Sequence, residues 1–156
     1  MPVLIVIIME NRERSSVDIS TIDVLEFLPQ RPPFVLIDRL ISYDAQTTQV
    51  KTQFYIKEGG TFVDGGFFQP AGIMENIAQS CAARIGYCDW LFARPVKIGV
   101  IGAIKSMEVL ELPKVGDTII TSITPKSEAL GVLLAEAVVE NQVGVVVAQC
   151  AIKIAV

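Results

Sequence analysis

The chain has 156 residues, a net charge of -4 and a hydrophobic content of 51%. That length suits one domain with a full core, and the acidic balance excludes the basic stripe of a nucleic-acid binder. Its mean hydropathy of +0.51 is high, yet no apolar run reaches the roughly 18 residues of a membrane span, so the surplus points to a subunit interface and an oligomer.

Residues 1–19 read as an extension of a single domain covering 1–156. Residues 1–9 (MPVLIVIIM) resemble a short signal-peptide core. No basic residue precedes them, and Glu10-Asn11-Arg12-Glu13-Arg14 follows where a small-residue cleavage site would stand. An extra strand, or an initiation at Met9, fits better. Residues 20–23 (STID) place an acid three positions after an N-cap residue and open a short helix to about Phe27. In 28–33 (LPQRPP) the prolines impose a rigid, extended segment. Residues 34–43 follow as a strand with Asp38-Arg39 near its middle, and 44–47 form a turn. Residues 50–57 alternate, with Val50, Thr52, Phe54 and Ile56 on one face and Lys51, Gln53, Tyr55 and Lys57 on the other, as in a half-buried strand. Gly59-Gly60 and 64–66 mark loops.

A helix over residues 70–87 comes next. Pro70 suits its first turn, where the missing N–H costs nothing. Ile73, Met74, Ile77, Ala78, Cys81, Ala82, Ala83 and Ile85 leave hardly a polar side, the signature of a buried helix. Glu75 sits on it nonetheless, with Gln79 one turn later within reach. A buried carboxylate is costly unless paired, hydrogen-bonded or protonated, and such acids cluster at working sites. The structural alternative ties Glu75 to Gln79, Gln30 or a backbone amide.

Beyond the helix, 95–110 is a long strand whose Gly99 and Gly102 permit bends, and 112–117 is a turn. Strands follow over 118–124, 132–140 and 143–154, the last two joined at Asn141-Gln142. No βαβ alternation appears, which excludes a doubly wound parallel sheet. The pattern predicts an α+β domain, an antiparallel sheet of about five or six strands wrapped around one long helix. Cys81, Cys88 and Cys150 have no metal-ligand spacing and read as buried free thiols of a cytoplasmic protein. No metal and no cofactor is expected. Arg31 and Arg39 are expected to pair with Asp38 or neighbours. Arg84, Arg94, Lys97 and Lys105 are expected on a solvated face, with steering of an acidic carrier protein as the alternative.

Three segments carry a family resemblance. Residues 28–39 (LPQRPPFVLIDR) resemble the "LPHRYPFLLVDR" segment of the β-hydroxyacyl-(acyl carrier protein) dehydratases of fatty-acid synthesis. Residues 74–79 (MENIAQ) resemble that family's "(I/L)EAMAQ", and 113–117 (PKVGD) its "PVVPGD" turn. The loop 64–72 is shorter than the family's "GHFPGxPxxPG" and is similar to the "GHLPGW" loop of dehydratase-like proteins in aryl-polyene pigment clusters. The resemblance implies a hot-dog fold that dimerises by continuing its sheet. It implies a 3-hydroxyacyl thioester substrate, with a histidine and a glutamate from different subunits moving protons at the α-carbon and the β-hydroxyl. Backbone N–H groups at the helix start, here Ala71, Gly72 and Ile73, would polarise the thioester carbonyl. Phe68 and Gln79 complete the implied substrate contacts.

Glu75 falls on the family glutamate and Gln30 on the histidine, in a chain with no histidine at all. Glutamine does not titrate, so a base worth roughly 10²–10⁴ in rate is missing. Three readings remain open: a partner subunit for a histidine-bearing hot-dog protein, an acyl-CoA or acyl-carrier-protein thioesterase using Glu75, and a non-catalytic binder of acyl chains or their carrier protein.

Overall fold

The computed structural model describes residues 13–95 and 97–156, and the apolar stretch 1–9 lies outside them. The strands are β1 (Arg39–Tyr43), β2 (Val50–Tyr55), β3 (Val63–Asp64), β4 (Phe67–Phe68), β5 (Val100–Val109), β6 (Thr118–Ala129), β7 (Val132–Glu140) and β8 (Val146–Ala155). The long helix, α1 (Pro70–Leu91), lies between β4 and β5 in the chain. One sheet holds six strands in the order β1-β2-β6-β7-β8-β5, and every pairing is antiparallel. The sheet and single long helix expected from the sequence are both present. Among the described residues no helix is long and apolar enough to cross a membrane.

Period-2 patterning decides which face of the sheet meets the helix. Leu133, Ala135, Ala137 and Val139 of β7 are buried, while Leu134 and Glu136 between them are exposed. They join Ile73, Ile77 and Cys81 of α1 in one core. The other side of α1 is covered by the chain before β1, which explains why the helix is apolar nearly all round. A Cβ on Gly86 would lie 2.9 Å from the Phe27 Cα, so only glycine allows this approach. Phe27 then meets Tyr87 and Trp90 edge-on, at ring-centroid distances of 5.9 and 6.4 Å.

Polar groups on so buried a helix need partners. Asn76 Nδ2 donates to Leu36 O at 2.7 Å while its Oδ1 accepts from Thr121 Oγ1 at 2.6 Å. The Ser80 and Thr52 hydroxyls are 2.7 Å apart. Arg84, expected on a solvated face, is instead buried. Its Nε and NH2 donate to Thr48 O and Oγ1, both at 2.9 Å, holding a turn residue whose φ is 57°.

Several boundaries differ from the sequence reading, each for a local reason. The strand expected over 34–43 is confined to β1. Ahead of it the backbone of Phe34 and Leu36 is captured by Asn76 and Gln79 of the helix rather than by a neighbouring strand. The short helix is replaced by two 3-10 turns, Ile19–Thr21 and Val24–Glu26. Asp18 and Asp23 cap them by accepting from the N–H groups of Ser20 and Leu25, and the chain is extended at Ile22 between them. Residues 64–66, read as loop, form the tip of the β3–β4 hairpin, with Gly65 and Gly66 at φ 58° and 82°. Strand β6 runs on past Pro125, which a bulge between Pro125 and Ser127 accommodates. The turn between β7 and β8 is longer than Asn141-Gln142, because Asn141 Oδ1 accepts from Val143 N and Val145 N. Asp38 accepts from Tyr55 N at 2.7 Å. Arg31 donates to the carbonyls of Leu28 and Gln30, so the expected pairing of Arg31 with Asp38 is not made, and among the described residues Arg39 has no ion pair either.

Candidate functional site

The side chains that matter lie on one stripe of α1. Glu75, Ala78, Ala82 and Ile85 recur at spacings of three and four and so share a helical face. They line a cavity of about 140 Å3 with Pro29 and Gln30 from the strap ahead of β1. Lys97, Ile98 and Gly99, just ahead of β5, and Ile101 within it form the rest of its wall together with Ile154. A Cβ on Gly99 would sit 2.8 Å from the Ile154 side chain, so glycine lets the chain close over this wall.

Gln30 and Glu75 of a single chain therefore meet at one cavity. Glu75 is half-buried, and its Oε1 accepts from Gln79 Nε2 at 2.9 Å. Gln79 is wholly buried. The same Nε2 donates to Phe34 O at 2.7 Å, and its Oε1 accepts from Leu36 N at 2.7 Å. A side chain so engaged fixes the strap and one carboxylate oxygen together. The other oxygen of Glu75 has no hydrogen-bond partner among the described residues. Gln30 Oε1 is buried and also lacks a partner there.

The remaining expected contacts lie elsewhere. Gln79 stands behind Glu75 rather than on the cavity wall, and neither Phe68 nor Ala71, Gly72 or Ile73 lines it. Phe68 and Ile73 are core residues with no exposure. A Cβ on Gly72 would come within 2.5 Å of the Phe68 ring, so this glycine serves packing. The N–H of Ile73 already donates to Gln69 O at 3.1 Å. The sequence reading missed Ala78, Ala82 and Ile85 as lining residues, although their helical spacing from Glu75 was the available signal. Lys97 enters the site from a position read as solvated surface.

Burial pushes the Cys81 thiol up to about 12 and raises Cys88 and Cys150 as well, so these thiols stay protonated near neutrality. None of the three lines the cavity. Among the described residues no cluster of histidine, cysteine or carboxylate could hold a metal ion. A larger cavity of about 490 Å3 opens beside Val35, Ile37, Tyr55 and Thr61, sharing no lining residue with the first.

Comparison with solved structures places the fold. The dehydratase heterocomplex ApeI:P from Xenorhabdus doucetiae matches at a TM-score of 0.73 and 15% identity, over 86% of this chain and 90% of the other. The PaaI protein of the E. coli phenylacetic acid degradation operon matches at 0.60 and 14% identity, over 75% and 81%. The smu.793 protein of Streptococcus mutans UA159, solved with acetyl CoA, matches at 0.63 and 16% identity, over 82% and 94%. At such identities the likeness shows the fold alone, the hot-dog fold. No curated protein is significantly similar in sequence. A family model for ApeP-like proteins, described as ApeP dehydratase, matches residues 22–155. With nearly the whole described domain covered, the chain belongs to the ApeP-like dehydratase family.

Proposed function

We propose that this chain is an acyl-thioester-binding subunit of a hot-dog dehydratase, poor at dehydration by itself and completed by a histidine-bearing hot-dog partner. The observation that carries this reading is the fixed Glu75 carboxylate facing a cavity shared with Gln30, in a chain with no histidine. Dehydration of a 3-hydroxyacyl thioester removes a proton from the α-carbon and delivers one to the β-hydroxyl, which leaves as water. Glu75 can supply one of these transfers. The second needs a group that titrates near the working pH, which imidazole does and an amide does not.

The edge of the sheet supports a partner. Among the described residues strand β5 is terminal in the sheet, and the chain at its start builds one wall of the cavity. Ile98, Val100 and Ile101 are 69%, 64% and 42% exposed, and a long apolar edge strand invites pairing with another chain. A partner continuing the sheet there would bring its residues to the cavity. The ApeI:P structure is a precedent for a dehydratase heterocomplex. The substrate would be a fatty or polyene 3-hydroxyacyl group on acyl carrier protein or coenzyme A. The free thiols suit a reducing, cytoplasmic setting.

The test is absorbance of the enoyl product from a 3-hydroxyacyl thioester, with the chain alone and with a histidine-bearing hot-dog partner. Turnover is expected from the mixed dimer and should fall roughly 10²–10⁴-fold in Glu75→Gln. A mixed dimer indifferent to Glu75→Gln would overturn the assignment. A thioesterase reading has one observation in its favour: among the described residues Glu75 is the sole carboxylate lining the cavity and could activate water there. Release of free thiol by the chain alone, lost in Glu75→Gln, would select that reading.

A further inference from the structure

A second cavity, of about 340 Å3, opens at the far end of α1 and shares Ile85 and Lys97 with the Glu75 cavity. Among the described residues its charged lining is Arg84, Asp89, Arg94, Lys97 and Glu128. Both carboxylates already have partners. Arg94 Nε donates to Asp89 Oδ1 at 3.1 Å, and Arg84 NH2 donates to Glu128 Oε2 at 3.3 Å. The donors outnumber them. Arg84 is 3% exposed, and its Nε and NH2 direct their three N–H groups to Thr48 O, Thr48 Oγ1 and Glu128. Its NH1 carries two more N–H groups and has no hydrogen-bond partner among the described residues. The same holds for the terminal nitrogens of Arg94 and for the Lys97 ammonium. A guanidinium taken out of water needs its charge and its N–H groups matched, and one exposed glutamate matches Arg84 only in part. An oxyanion in this cavity completes the match, held by charge-assisted bonds from Arg84, Arg94 and Lys97.

The wall leading from Glu75 to this cavity tells which oxyanion it is. From Glu75 to Ile85 the helix rises about 15 Å. The side chains along that stretch, Ala78, Ala82 and Ile85 with Ile101 and Ile154 opposite, are apolar. They suit hydrocarbon, whereas the amides of a pantetheine arm would lose water there without side-chain partners. With the reacting carbons of a thioester at Glu75, the acyl chain is therefore the part that runs along α1. The group it brings to the second cavity is the one at its remote end. Lys97 stands where the apolar wall meets the charged lining.

We infer that the second cavity binds a carboxylate at the end of the acyl chain remote from the thioester, so that this protein prefers acyl groups ending in an acid to those ending in methyl. The inference rests on the thioester reading above and adds which acyl group is taken. Arg84, Arg94 and Lys97 hold the carboxylate and move no proton at Glu75.

Calorimetric titration of the purified full-length protein tests this, with pantetheine thioesters of straight acyl chains that end in methyl or in carboxylate over a range of lengths. Once the chain is long enough to span from Glu75 to Lys97, the carboxylate-ended form is expected to bind at least about tenfold more tightly than its methyl-ended counterpart. Shorter chains should show no such gain. Lys97→Gln removes a charge from an exposed position, so the fold is kept, and it should lower the preference several-fold while the methyl-ended form still binds. Equal affinities at every length, or a preference unchanged in Lys97→Gln and Arg94→Gln alike, would overturn the inference and leave the thioester reading standing. A gain for coenzyme A thioesters over pantetheine thioesters that Lys97→Gln abolishes would place the carrier's phosphate in the cavity and likewise overturn it. If no thioester binds, the proposed function fails, and this inference with it.

Discussion

Replacing Gln79 with leucine removes an amide of nearly the same volume while leaving its surroundings in place. Three hydrogen bonds disappear, to Leu36 N, Phe34 O and Glu75 Oε1. The Leu36 amide is the expensive one, since Leu36 is 1% exposed and its N–H donates to Gln79 Oε1. An unsatisfied buried donor costs about 1–3 kcal/mol, and the bond to Phe34 adds about 1 kcal/mol. Water can reach the half-buried Glu75, so that third bond adds little. The sum is about 3 kcal/mol, which for a domain of this size lowers the melting temperature by roughly 6–12 °C. Thermal melts at one fixed protein concentration measure this, because an oligomer's midpoint moves with concentration. Amide exchange at Leu36 should accelerate in the same variant. A loss below about 1 kcal/mol with the Leu36 amide still protected would refute the idea that Gln79 holds the strap to the helix.

Two further outcomes follow from the packing. Gly86→Ala should destabilise by about 1–3 kcal/mol despite alanine's better helix propensity, because the new Cβ would lie 2.7–2.9 Å from Phe27 atoms, backbone among them. A denaturation midpoint equal to or above that of the wild type would contradict the close approach of these segments. Stability should also fall as the pH rises from about 9 towards about 12. Cys81 titrates near 9.0 when unfolded but is pushed up to about 12 by burial, so in that window the unfolded chain has released a proton the folded chain retains. The slope from this group is at most about 1.4 kcal/mol per pH unit. Comparing urea midpoints across the window for wild type and Cys81→Ala checks it, and equal slopes would refute the assignment.

Much of the architecture was legible because it depends on local pattern. The alternation of Val50, Thr52, Phe54 and Ile56 marked β2, and the buried face is the one it named. Pro70 at the first turn and the apolar run after it marked α1. What failed were boundaries set by side chains remote in sequence. Phe34–Leu36 has a strand's composition, but its backbone partners are amides some 40 positions away on the helix, as in the bond from Asn76 to Leu36. Arg84 looked like surface because its charge argues for water, and nothing local announces that the Thr48 turn will receive it.

The same division runs through the site. Sequence alone singled out Glu75 and paired it with Gln79 across one helical turn, since helical spacing is fixed by backbone geometry, whereas Gln30 was named only by the resemblance to the dehydratases. Tertiary structure decided the rest. It drew Phe68, Gly72 and Ile73 into the packing instead of the cavity, and brought Lys97 to its wall. It also buried Gln30 Oε1 without a hydrogen-bond partner among the described residues. Periodicity tells which side of an element is apolar. Whether a polar atom on it finds a partner depends on chain segments far apart in sequence, and only the fold brings those together.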